Sequence, residues 1–147
     1  MRGGGYWALR LLLGGVFLLS GVMKIRDPGA FAIEVANYQL APQLAPWLAA
    51  TLPAIELLSG ALLVIGTRPW VRAAALLSSA MLLVFSVAVT SVVLRGINVS
   101  CGCFGGDTGP VTALTVLRDV ALLLGAVGLY ALGAASNAAA PGQPAAI

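Results

Sequence analysis

Cys101 and Cys103 are the only cysteines in the chain, and they stand one residue apart. A Cys-Gly-Cys step separates the two Cα atoms by about 5.5–7 Å, which overlaps the range that a disulfide can bridge. The ring so formed is small and strained. Strained disulfides are the more oxidising and labile ones, suited to exchange rather than to stapling. The run from Ile97 to Pro110 also carries four glycines, which allow tight turns and positive φ. Two other uses of the pair stay open from the residues alone. Cysteines can serve as small apolar side chains, and two thiolates can hold Cu(I). The chain has no histidine, so most zinc sites, a Cys–His nucleophile pair and a His-based triad are excluded. Met1, Met23 and Met81 are too dispersed for a copper relay, and no metal site is expected. Asn98-Val99-Ser100 matches a glycosylation sequon, a three-residue pattern common by chance.

Glu56, Arg118 and Asp119 are ionisable residues inside long apolar segments. Glu56 lies about ten residues into one of them, and Arg118 and Asp119 lie early in another. Both segments enter from the cysteine side, which places Glu56 and Arg118 at similar depth. A lone charge there is costly, so a Glu56–Arg118 pair, or an Arg118 facing a polar pocket, is expected. Such a pair could simply fix helix register. Alternatively Arg118, together with Lys24, Arg26 or Arg95, makes the mouth of the bundle electropositive, which favours thiolate over thiol. The N-terminus of the last segment, near Pro110, adds a favourable dipole. Glu56 could also pass a proton.

The elements that must position these residues are membrane spans. Of 147 residues, 60% are apolar and 9% are charged, and mean hydropathy is +1.00. That excludes an ordinary water-soluble domain and a disordered chain. A net charge of +3 is too small and scattered for a nucleic-acid face. A span needs about 20 apolar residues. Four windows qualify, at 6–23, 47–66, 70–94 and 111–132, and no internal repeat is visible. The first is followed by Lys24, Ile25, Arg26 and Asp27 rather than a cleavage site, and reads as a retained signal anchor. The expected fold is an all-α integral membrane protein: a four-helix transmembrane domain over 1–132, then a flexible tail over 133–147.

The connections are short. Thr67-Arg68-Pro69 is a tight turn. Residues 24–46 and 95–110 form two longer links on one side of the membrane. In the first of these, Asp27 suits an N-cap and Pro28 the first helical position. Phe31, Val35 and Tyr38 follow at i, i+4, i+7, with Leu40 beyond, the pattern of a short amphipathic helix in the interface or capping the bundle. Small residues at four-residue spacing (Ala75 and Ser79, Ser86 and Thr90, Ala121 and Gly125) allow close helix packing. Trp7, Trp47 and Trp70 lie at span ends as interface anchors. Arg2, Arg10, Arg68 and Arg72 fall on the N-terminal side, against Lys24, Arg26 and Arg95 on the other. That balance favours cytoplasmic termini with both long links outside.

These residues together resemble a known family. The first span ends in Ser20-Gly21-Val22-Met23-Lys24 and leads into Asp27-Pro28 and Phe31. The second carries Pro53-Ala54-Ile55-Glu56, then Gly60, Leu63 and Gly66. Cys101-Gly102-Cys103-Phe104-Gly105 precedes a fourth span containing Leu117-Arg118-Asp119. Over residues 6–132 this is similar to the MauE family of methylamine-utilisation membrane proteins, within the DoxX-like group. The resemblance implies a bacterial inner-membrane bundle with a periplasmic cysteine loop, associated with disulfide formation or transfer. The implied partner is a thioredoxin-like protein or a disulfide-containing substrate protein. Cys101 and Cys103 become the redox pair, without a choice of nucleophile, and Lys24, Arg26, Glu56, Phe104 and Arg118 become supporting residues. Analogy with four-span bundles that reduce quinones suggests a quinone between the helices, although those relays use two cysteine pairs. A non-enzymatic membrane assembly factor and a Cu(I)-binding membrane protein are the alternatives.

Overall fold

The computed structural model describes residues 2–99 and 109–138. Five α-helices follow one another: α1 (Arg2–Arg26), α2 (Pro28–Asn37), α3 (Ala45–Ile65), α4 (Arg68–Leu94) and α5 (Ala113–Ala138). A single 3-10 turn, Pro42–Leu44, leads into α3. Four segments are long and apolar enough to cross a membrane: Gly3–Arg26, Pro42–Ile65, Arg68–Leu94 and Ala113–Gly133. The chain is an all-α, multi-pass membrane protein. The expected windows match these spans to within a few residues, except that α1 reaches back to Arg2 and α3 is preceded by the Pro42 turn. The tail expected from Gly133 lies only partly within view. Helix α5 continues to Ala138, and 139–147 lie outside the described residues.

The spans form an up-down-up-down ring in which α1 packs on α3, α3 on α4, α4 on α5, and α5 back on α1. Helices α3 and α5 are diagonal and do not touch. The tightest seam is α1–α3, and glycine makes it. A Cβ on Gly60 would lie 2.9 Å from the Leu18 backbone nitrogen and 3.0 Å from the Gly14 carbonyl oxygen. One on Gly21 would lie 3.1 Å from the Pro53 carbonyl oxygen. Backbone meets backbone here, the packing that small residues permit where no hydrophobic drive separates helix from lipid. Two of the expected small-residue pairs are used differently: Ser79 Oγ and Thr90 Oγ1 donate to the carbonyls of Ala75 and Ser86 on their own helix, at 2.7 Å each. Gly125 does mark a close approach, with a Cβ there 3.2 Å from Leu9 Cδ1 on α1.

Helix α2 starts as expected. The Asp27 side chain accepts from the Ala30 amide at 2.9 Å, and Pro28 occupies the first turn. It folds back onto α3 and caps the bundle. Phe31 and Tyr38 are buried, Val35 is half-buried and Leu40 is exposed. Glu34 is buried on the same stripe. Trp7, Trp47 and Trp70 all face outward.

Candidate functional site at the loop end of the bundle

Helix α4 ends in a Schellman motif. Gly96, at φ +65°, lets the Ile97 amide donate to Val92 O at 3.1 Å and its own amide to Val93 O at 3.2 Å. The chain then turns inward, and Val99 is buried. On the return, Gly109 takes φ +82° and the Val111 amide donates to Val99 O at 2.9 Å. The loop that carries the cysteines therefore leaves and rejoins the bundle at one hydrogen-bonded point. Cys101, Cys103 and Phe104 themselves lie outside the described residues.

Beneath that point is a polar cluster set in apolar walls. Tyr38 packs with Val89, Val92 and Val99, with Val111 and Val116 at the edge. Its ring centroid is 6.3 Å from that of Phe85. Arg95 Nη1 donates to Tyr38 O at 3.2 Å and Nη2 to Gln39 Oε1 at 3.4 Å, which ties the end of α4 to the end of α2. Burial pushes the Tyr38 phenol up to about 12, and the nearby carboxylates of Asp119 and Glu34 push in the same direction. Asp119 is only 2% exposed. Its Oδ1 accepts from Arg118 Nε at 3.1 Å and Nη2 at 2.9 Å. Its Oδ2 has no hydrogen-bond partner among the described residues.

A second buried polar group crosses the α1–α3 seam. Lys24 Nζ lies 2.5 Å from Glu56 Oε1, and Ser20 Oγ donates to Glu56 Oε2 at 3.2 Å. The ammonium also sits 4.8 Å from the centre of the Phe31 ring on α2. Lys24 and Glu56, singled out from sequence, are thus brought together, but the expected Glu56–Arg118 pair does not form. Helices α3 and α5 stand across a diagonal. Arg118 closes on its own neighbour Asp119 instead, with its side chain 39% exposed. It lines a groove of about 440 Å³ with Thr112, Leu114, Thr115, Leu117 and Ala121 on the outer face of α5. Arg26 is exposed at the end of α1. Of the proposed cations, then, Lys24 is neutralised by Glu56 and Arg118 is balanced by Asp119. Arg95 holds backbone and amide oxygens.

Sequence reasoning passed over Ser20 and Glu34 as polar partners. A signal existed for each: Ser20 is one turn before Lys24, and Glu34 lies three residues after Phe31, on the buried stripe. It also left Arg10 as a counted charge. In the structure Arg10 is 4% exposed, inside the bundle at the opposite end. Its Nε donates to Leu63 O at 2.7 Å, and Nη2 donates to Val64 O at 3.2 Å and Gly66 O at 2.9 Å, closing the C-terminus of α3.

Comparison with known proteins agrees with this architecture. The family described as methylamine utilisation protein MauE matches residues 4–132. Methylamine utilization protein MauE of Paracoccus denitrificans is 38% identical over 119 residues, which cover 79% of this chain and 63% of that protein. The chain thus spans less than two-thirds of the length of this relative. No solved structure matches it. The family match runs through all four spans, so the chain belongs to the MauE family.

Proposed function

We propose that the chain is a thiol–disulfide oxidoreductase of the bacterial inner membrane, serving the maturation of a disulfide-containing protein in methylamine utilisation. The observation that carries this reading is the Cys-Gly-Cys motif in a loop pinned at its base, through Val99 and Val111, over a buried polar cluster. A fixed base at Val99 and Val111 ties both ends of this segment to the bundle. The family membership supports the physiological setting, since the relative's name places it in methylamine utilisation.

The chemistry balances with the disulfide form of a thioredoxin-like protein as the oxidant. A thiolate of the substrate protein attacks one sulfur of the Cys101–Cys103 disulfide, and the other cysteine leaves as thiolate. The second substrate thiolate then displaces the first cysteine. The substrate gains a disulfide, and the chain keeps two electrons as a dithiol. Exchange with the disulfide form of a thioredoxin-like protein returns the pair to its oxidised state and reduces that protein. The loop faces the periplasm in this scheme, with the termini cytoplasmic.

Labelling of intact cells with a membrane-impermeant maleimide, before and after reduction, tests the proposal. Labelling only after reduction is the expected result. Labelling that needs permeabilised membranes even after reduction would overturn the orientation. Cys101→Ser and Cys103→Ser should each abolish exchange while the chain still inserts. Full complementation of a deletion strain by the double serine variant would instead make the protein a non-enzymatic assembly factor, and stoichiometric Cu(I) on the reduced pair would make it a copper carrier.

A further inference from the structure

Among the described residues, the end of the bundle opposite the cysteine loop carries positive charge and no acidic side chain. The chain has five acidic residues: Asp27, Glu34, Glu56, Asp107 and Asp119. Asp27, Glu34 and Asp107 belong to the links at the loop end. Glu56 is held by Lys24 and Asp119 by Arg118. No acidic side chain follows Asp119 in the sequence. Arg10, Arg68 and Arg72 therefore share their end of the bundle with no acidic side chain among the described residues. Arg10 spends its donors on the carbonyls that end α3. Arg68 and Arg72 do not.

These two arginines stand one turn apart at the start of α4 and face a groove of about 310 Å³, lined also by Pro69, Ala73, Leu76 and Tyr130. The Arg72 guanidinium sits 5.4 Å from the centre of the Tyr130 ring, which holds it against α5. Gly133 makes room for its stem, since a Cβ there would meet Arg72 Cγ at 2.8 Å. Arg72 Nε is buried, with no hydrogen-bond partner among the described residues. Arg68 is exposed and makes no ion pair with a described residue. A donor left without a partner among the described residues, beside a second cation, suits an anion.

The position of the groove selects the anion. Trp70, two residues from each arginine, is 60% exposed, as an interface aromatic is. Deeper along the same face Leu76 is 55% exposed and Ala73 is small, leaving an apolar track that runs from the arginines toward the membrane interior. A phosphate with an acyl chain attached satisfies both halves, and a free phosphate satisfies only one. We propose that Arg68 and Arg72 bind the headgroup phosphate of an anionic phospholipid, with an acyl chain lying along Pro69, Ala73 and Leu76.

Native mass spectrometry of the full chain released from detergent, titrated with phosphatidylglycerol or phosphatidylcholine, tests this. The wild-type chain should retain phosphatidylglycerol in preference to phosphatidylcholine. Each arginine removed, in Arg68→Gln and Arg72→Gln, should weaken retention about fivefold, the effect of one cation near an anionic surface. Millimolar inorganic phosphate should not compete. Equal retention of the two lipids, unchanged retention in the double variant, or displacement by phosphate would each overturn the proposal. If Arg72→Gln disturbs the α4–α5 contact, Arg68→Gln decides alone, because Arg68 is exposed and its loss leaves the packing intact.

Discussion

Lys24 and Glu56 meet at 2.5 Å across the α1–α3 seam, with side chains only 4% and 8% exposed. The seam explains the contact. Gly14, Gly21 and Gly60 bring the two helices close enough for a lysine in the last turn of α1 to reach a glutamate in the middle of α3. Removing one partner strands the other in the membrane interior. Lys24→Met or Glu56→Leu alone should therefore cost about 3–5 kcal/mol, whereas the double variant recovers most of that loss. Thermal unfolding in detergent reads the difference. Additive losses in the double variant would mean that the two residues act separately.

The same seam gives a steric prediction. Gly60→Ala places a methyl group against the backbone of α1, where nothing flexible can yield, and should cost about 1–3 kcal/mol. Gly15→Ala is the matched control, because a Cβ there meets nothing within 4 Å. It should leave stability unchanged or raise it by up to about 1 kcal/mol through helix propensity. Equal melting of the two variants would contradict the close approach.

Arg10 is predicted to be structural. It supplies three hydrogen bonds to the carbonyls at the end of α3 and lies 4.3 Å from the Trp7 ring. Arg10→Ala should lose about 2 kcal/mol or more, since hydrogen bonds from charged donors are worth about 1.5–3 kcal/mol each and bare carbonyls remain. Arg10→Lys should restore little, because one ammonium cannot reach carbonyls that a planar fork spans. Full rescue by lysine, in the same detergent melt, would reduce the site to charge alone.

The spans, the short capping helix and the Asp27 cap were legible because each rests on local pattern: runs of about 20 apolar residues, a stripe at i, i+4, i+7, and a side chain reaching three residues ahead. The partner of Glu56 was not. Sequence gives the spans but not their order around the bundle, so a Glu56–Arg118 pair was expected although α3 packs against α1 and not α5. Spacing of small residues likewise marks several faces, and only packing shows that Gly14, Gly21 and Gly60 form the tight one. Cys101 and Cys103 stand out in the sequence by residue type and spacing, and lie outside the described residues.

Tyr38 links stability to alkaline pH. Its phenol ionises at about 12 in the folded chain, against an ordinary value of 10.0, chiefly because it is buried. Below pH 10 the phenol is protonated in both folded and unfolded chains, and its contribution is intact. As pH rises from 10 to 12 only the unfolded chain releases the proton, so stability falls, by about 2–3 kcal/mol in all. Tyr38→Phe should flatten that part of an unfolding profile recorded in detergent. Superimposable profiles would mean that the phenol is not what titrates.

Arg118 and Asp119 make opposite predictions for the cysteines. The two charges nearly cancel where they are, bonded through Asp119 Oδ1, so Arg118 as it stands offers little field to a thiolate in the loop. Asp119→Asn removes the carboxylate charge bonded to the guanidinium and should lower the thiol pKa of the reduced pair. Arg118→Gln leaves the carboxylate and should raise it. Each shift should be a few tenths of a pH unit, the order expected of one partly screened charge. The rate of maleimide alkylation against pH, measured on the reduced protein in detergent, separates the two directions. Shifts of the same sign would show that the variants act by loosening α5, and not through the charge each leaves behind.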